Sequence, residues 1–214
     1  MEQVLNRAQK KAVAHRDGPA RVLAGAGTGK TRVITERFVF LTREGAARPE
    51  EILVLTFSRA AAEEMRSRIT ARLKGNYTRL WIKTFHSFCL DILREAFPVG
   101  AGIQVLNDRY RQELIMEILA SQDWDFYRNN SLDKFAKDVF DLLSRLKDEL
   151  VPLTAFEEFA KEQQKHRVGT RLPDLARACR LVQAQMEARS LIDFGDMINR
   201  TMLLFAEQED LLEA

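Results

Sequence analysis

The octapeptide Ala24-Gly25-Ala26-Gly27-Thr28-Gly29-Lys30-Thr31 constrains this chain more than any other feature. It follows a short apolar run, Ala20-Arg21-Val22-Leu23-Ala24, that reads as a strand. It opens a stretch of helical pattern from Lys30 to about Arg43. Small residues let the backbone curl so that successive N–H groups converge on one concavity. The N-terminus of the following helix adds unpaired donors and positive partial charge. Lys30 supplies a full charge for β- and γ-phosphates, and Thr31 a hydroxyl for Mg2+. The expectation is a nucleotide cradle made by Gly25, Ala26, Gly27, Thr28, Gly29, Lys30 and Thr31. Ala24 stands where the general pattern has its first glycine, and is small enough to serve.

The segments that follow continue an α/β alternation. Ile52 to Thr56 is a β-branched-rich apolar run, the pattern of a strand buried on both faces. Ser58 is placed to cap a helix carrying Ala62, Met65, Ile69 and Leu73 at helical spacing. Leu80 to Thr84 reads as another strand, followed by an amphipathic helix through Phe88, Ile92 and Leu93. Such alternation implies a parallel sheet with helices on both faces. The character changes between Pro98 and Gly102. From Asp108 onward the pattern is almost entirely helical: 108–121, then 132–150 with Leu132, Phe135, Val139, Leu142, Leu146 and Leu150 on one stripe. Pro152 breaks that helix, and Thr154 to Glu157 has capping-box spacing for the next. Pro173 suits the first turn of a last long helix with Leu175, Ala178, Leu181, Val182 and Met186.

Composition excludes several classes. Hydrophobic residues are 46% and charged residues 30% of the chain, a globular balance. No apolar run approaches the roughly 20 residues of a membrane helix. The N-terminal MEQVLNRAQKK has no apolar core of a secretory signal. Two cysteines make no disulfide framework, and no Cys/His cluster has zinc spacing, so a reducing cytoplasmic location is expected. The net charge of +2 hides an asymmetry: residues 1–97 hold 18 Lys+Arg against 10 Asp+Glu, and residues 98–214 hold 15 against 21. The basic half suits a polyanion partner. A basic group at Lys161, Lys165, Arg167 and Arg171 reads more simply as a solvated face.

Upstream of the loop stands Leu5-Asn6-Arg7-Ala8-Gln9. A glutamine amide can pair with N6 and N7 of adenine and mismatches guanine, so Gln9 could select ATP. With this run in place, the chain resembles the UvrD/Rep/PcrA type of superfamily I DNA helicase. The resemblance rests on L-N-x-x-Q, V-L-A-G-A-G-T-G-K-T-R, L-T-F-S-R-A-A-A-E-E-M-R-S-R-I and T-F-H-S-F, in order and in register from Leu5 to about Arg94. Leu191-Ile192-Asp193-Phe194-Gly195-Asp196-Met197 resembles the family's return into its first core domain.

The resemblance implies a RecA-like core domain 1A over 1–103, a helical subdomain 1B inserted over 104–190, and a return to 1A over 191–214. It implies that Gln9 reads adenine and that Arg32 stands beside the nucleotide. Thr56, Phe57 and Ser58 would form one contact motif for single-stranded DNA, and Thr84, Phe85, His86 and Ser87 a second, with Thr84 and His86 the contacts to DNA. Phe57 could stack on bases without reading sequence, while Phe85 and Phe88 are expected in the core. Ser58-Arg59-Ala60 departs from the family's commoner T-N-K and leans toward motors of helicase–nuclease complexes.

ATP hydrolysis also needs a carboxylate for Mg2+ and water, and arginines on the γ-phosphate. Asp148-Glu149 is the one adjacent Asp-Glu pair, and it lies in a charged helical segment instead of at a strand end. The family's D-E motif follows the Asp193–Met197 region. The expectation is therefore the N-terminal, ATP-binding portion of an ATP-dependent DNA helicase, using ATP and Mg2+. Its partners would be single-stranded DNA, single-strand/duplex junctions and the remaining C-terminal portion, with no membrane. The portion alone is expected to lack turnover. The alternative is a non-catalytic module that binds ATP or a partner helicase.

Overall fold

A computed structural model describes residues 4–73, 77, 79–96, 102–127, 132–166 and 171–208. The expected change of character at 98–101 and the basic residue Arg167 lie outside them. The chain is a mixed α/β protein, mostly helical, with small parallel sheets. It divides into two compact units, up to Phe88 and from Cys89.

In the first unit, α1 (Arg7–Ala14) packs on α2 (Lys30–Arg43). Arg37 of α2 donates to the carbonyls of Ala12, Val13 and His15 at the end of α1, groups that a helix C-terminus leaves unpaired. Strand β1 (Leu53–Thr56) pairs in parallel with β2 (Trp81–Thr84), and α3 (Arg59–Leu73) crosses between them. Phe38, Val54, Ala62, Met65, Ile69, Leu80 and Ile82 form the core. The guanidinium of Arg66 donates to the carbonyls of Leu80 (3.2 Å) and Ile82 (2.9 Å), tying α3 to β2. Helix α4 (Phe85–Ala96) follows β2 directly.

Two strand expectations are corrected. Residues 20–24 form no strand and join no sheet ladder among the described residues, and Leu23 is 81% exposed. A strand is defined by its ladder, which neighbouring chain must complete. β1 is not buried on both faces either: Leu53 is 43% exposed, while Val54 and Thr56 are buried.

The second unit contains β3 (Gln104–Val105), α5 (Asp108–Ala120), α6 (Leu132–Asp148), α7 (Leu153–His166), α8 (Leu172–Ala188), β4 (Leu191–Ile192) and α9 (Phe194–Glu207). β3 and β4 pair in parallel, Gln104 opposite Leu191. The core joins Leu114, Ile115 and Leu119 of α5, Phe135, Val139 and Leu143 of α6, and Ala178, Val182 and Met186 of α8. Pro173 sits in the first turn of α8 as expected. The α6 stripe ends earlier than its periodicity suggests. Leu150 lies past the helix end at φ 54°, exposed, with its N–H bonded to the Lys147 carbonyl and that of Val151 to the Leu146 carbonyl. That is the left-handed helix stop usually given to glycine. Thr154 does not cap α7, because the helix already begins at Leu153.

A buried charge cluster fastens α9. Asp193 caps it, accepting from the Asp196 N–H at 2.9 Å, and lies 2.7 Å from Lys147 Nζ and 3.3 Å from Arg111 Nε. Lys147 also reaches Asp196 at 2.8 Å. Burial alone would raise the Asp193 carboxyl. Lys147, Arg111 and the Asp196 N–H outweigh it and hold the group below the usual aspartate value.

Candidate nucleotide and strand-contact site

The loop expected to cradle phosphates is built as its residue types demand. Gly27 (φ 73°) and Gly29 (φ 83°) adopt left-handed backbone that a side chain would strain, and Gly29 is the N-cap from which α2 starts. The Thr28 hydroxyl donates to the Gly25 carbonyl at 2.8 Å. Lys30 Nζ donates to the carbonyls of Ala24 (3.1 Å) and Gly25 (2.7 Å), so its ammonium lies on the loop itself. A phosphate oxygen could replace those carbonyls with a stronger, charge-assisted bond. Gly25, Ala26, Gly27 and Thr28 are exposed, and Thr31 is half-buried in the first turn of α2. Among the described residues no group of three His, Cys, Asp or Glu gathers to hold a metal.

Gln9 reaches this loop. Its Nε2 donates to the Thr28 carbonyl at 3.0 Å and its Oε1 accepts from the Asn6 N–H at 2.9 Å. Asn6 in turn caps α1 by accepting from the Gln9 N–H. Arg32 lines a depression of 330 Å³ between α2 and α3, together with Thr35, Glu36, Arg68, Ala71 and Arg72. Within it Arg72 pairs with Glu36.

The two Thr-Phe motifs expected to contact a DNA strand lie side by side because the β1–β2 register sets Thr56 opposite Thr84. Both emerge at the C-terminal ends of parallel strands, where open α/β sheets bind ligands. Their residues divide into two sets. Thr56 and Thr84 are buried and build the turns: Thr56 Oγ1 donates to the Ser58 carbonyl, and Thr84 Oγ1 accepts from the Ser87 N–H. Ser58 Oγ accepts from the Ala61 N–H and so caps α3 as expected. Phe57 and His86 face outward, Phe57 being 99% exposed. Phe85, expected in the core, is instead 47% exposed and stands edge-on to Phe57 with centroids 6.4 Å apart. Phe88 is half-buried against Trp81. The pairing of Phe57 with Phe85 escaped the sequence reading, although two Thr-Phe pairs at strand ends carried the signal.

Two of the basic residues at α7 and α8 have acidic partners. Lys165 pairs with Glu162 and Arg171 with Asp138. A larger depression of 710 Å³ in the second unit is lined mainly by apolar residues such as Leu146, Leu150, Val151 and Leu203, and its Lys147 and Asp196 are already paired with each other.

Comparison with known proteins places the chain in a family. The UvrD/REP helicase N-terminal domain family matches residues 5–214. The chain is 32% identical over 213 residues to the ATP-dependent DNA helicase PcrA of Bacillus subtilis. It is 30% identical to the PcrA of Staphylococcus epidermidis and 29% to that of Staphylococcus aureus, over the same length. Each match covers 98% of this chain and 27% of the relative, so the chain spans about a quarter of the length of these helicases. The chain belongs to the UvrD/REP helicase N-terminal domain family.

Proposed function

We propose that this member of the family is the ATP-binding first portion of a DNA helicase that moves along single-stranded DNA. The observation that carries the reading is the content of the first unit. One compact body holds a phosphate loop at the start of α2 and, at the ends of two paired strands, an exposed Phe57–Phe85 pair. The loop N–H groups and Lys30 would hold the phosphates of ATP, Thr31 would ligate Mg2+, Gln9 would read adenine and Arg32 would stand beside the nucleotide. Phe57 would stack on a base, with His86 and the backbone of Ser58 beside the strand. Both contacts tolerate any sequence, as a motor requires.

The proposed domain division has support in the second sheet. Gln104 pairs with Leu191, so the two ends of the helical segment 104–190 lie next to each other. A subdomain inserted into another must leave and return at neighbouring points. A RecA-like sheet would gain the strand at 20–24, whose apolar side chains are open here. In the parent protein, ATP binding and release would change the grip on the strand and produce steps. The hydrolytic acid and the γ-phosphate arginines are assigned to the remainder of that protein, and the cytoplasm is its proposed place of work.

Two titrations test the reading. A fluorescent ATP analogue with Mg2+ should bind the chain and lose measurable binding in Lys30→Ala, and labelled oligothymidine should bind independently of that change. Absence of both activities in the wild type, or an unaffected Lys30→Ala, refutes it. Robust DNA-stimulated ATP hydrolysis by the 214-residue chain, abolished in Lys30→Ala, would overturn the assignment of the acid elsewhere.

A further inference from the structure

We propose that Gln9 is a positioning residue for the phosphate loop, so that it strengthens binding of a polyphosphate that carries no base. This rests on the nucleotide-binding reading above and adds a second role to a residue assigned there only to adenine. The amide of Gln9 has both ends occupied. Its Oε1 takes the Asn6 N–H at 2.9 Å, the reciprocal half of the α1 capping box. Its Nε2 is thereby turned toward the loop and donates to the Thr28 carbonyl at 3.0 Å, across 19 residues of sequence.

Thr28 is the point where a brace is most useful. It precedes Gly29, whose left-handed conformation starts α2, and a Cβ on Gly29 would lie 3.2 Å from Gln9 Nε2. The amide thus packs directly on the turn. A loop with three glycines among five residues is costly to order, and an unordered loop imposes that cost when ligand binds. The Gln9 bond transfers part of it to folding. It also fixes the direction of one loop carbonyl, as the Thr28 hydroxyl and Lys30 fix that of Gly25. The loop N–H groups are then left for an anion. The two roles are compatible: a primary amide has two protons and an oxygen with two lone pairs, so each end of Gln9 keeps one valence for adenine.

Calorimetric titration with ATP and with inorganic tripolyphosphate, each with Mg2+, separates the roles. Gln9→Met keeps the length and removes the donor to Thr28 together with the acceptor for Asn6. It is expected to weaken tripolyphosphate by about five-fold, the worth of one hydrogen bond, and ATP by more. Unchanged tripolyphosphate affinity beside weakened ATP overturns the brace and leaves Gln9 a base reader. Failure of the underlying reading has a different signature: the wild type takes up neither ligand, or Lys30→Ala changes neither, and both proposals fall. Should Gln9→Met not fold, Gln9→Glu keeps the acceptor for Asn6, loses the donor and adds a negative charge, so it is read without an anionic ligand. Hydrogen exchange of that variant without ligand should show faster exchange at Gly27 to Gly29 with α1 still protected, and unchanged loop exchange overturns the proposal.

Discussion

Replacing Asp193 by Asn tests the account of how α9 is held. The change keeps the shape and the oxygen that caps α9, and removes one buried charge. Asp193 and Arg111 have side chains only 3% and 5% exposed, so neither is screened by water. Losing one partner of a buried ion pair typically costs about 3–5 kcal/mol. Here the remaining cations keep some partners. Lys147 retains Asp196 at 2.8 Å, and Arg111 retains the Phe140 carbonyl, the Ser144 hydroxyl and the face of the Phe140 ring. The expected loss is therefore below that range, about 2–3 kcal/mol. With a urea dependence of about 2–3 kcal/mol per molar, that moves the midpoint down by about 1 M. The measurement is urea unfolding followed by Trp124 fluorescence in a Trp81→Phe background, since the two tryptophans lie in different units and need not unfold together. The acid limb provides a second reading. Because the folded carboxyl lies below its ordinary value of 3.8, its contribution is fully present above that pH and is lost as pH falls through the folded value. The wild type should lose stability there and Asp193→Asn should lose less. A variant within about 0.5 kcal/mol of wild type, with the same acid limb, would refute the argument.

Three further outcomes follow from particular side chains. Phe57→Ala should weaken oligothymidine binding about five- to one-hundred-fold, the range of one lost base stack, while the melting temperature stays unchanged because the ring is exposed. Leu150→Gly should stabilise the second unit by up to about 1 kcal/mol in urea unfolding, since glycine accepts the left-handed φ of 54° without a Cβ clash. Cys179 should resist alkylation in the native protein. Burial pushes its thiol up to about 12, so stability should also fall as pH rises above 9, where the thiol of the unfolded chain ionises.

Local signals carried much of the site. The Gly25–Thr31 run fixes a turn and a helix start through backbone sterics alone, and α2 begins at Lys30 as its pattern requires. The caps at Asn6 and Ser58 depend on residues no more than three apart, so they too could be read directly. Helices in the second half were legible because their apolar faces repeat every turn. Two of the readings that failed concern residues whose state depends on distant chain. Val22 and Leu23 have strand composition, yet a strand needs a partner for its ladder, and composition does not provide one. Phe85 looks like a core residue by type, yet the turn after β2 points it outward beside Phe57.

The sequence by itself therefore determined a glycine-rich turn into a helix, two Thr-Phe strand ends and the family to which they belong. Each is a short pattern whose meaning comes from backbone geometry or from residue order. Only the tertiary structure decided that Thr56 lies opposite Thr84, that Gln9 reaches across to Thr28, and that Lys147, Arg111 and Asp193 share one buried site. Those contacts join residues from 19 to more than 80 positions apart. They arise from register and helix packing, which no local pattern encodes.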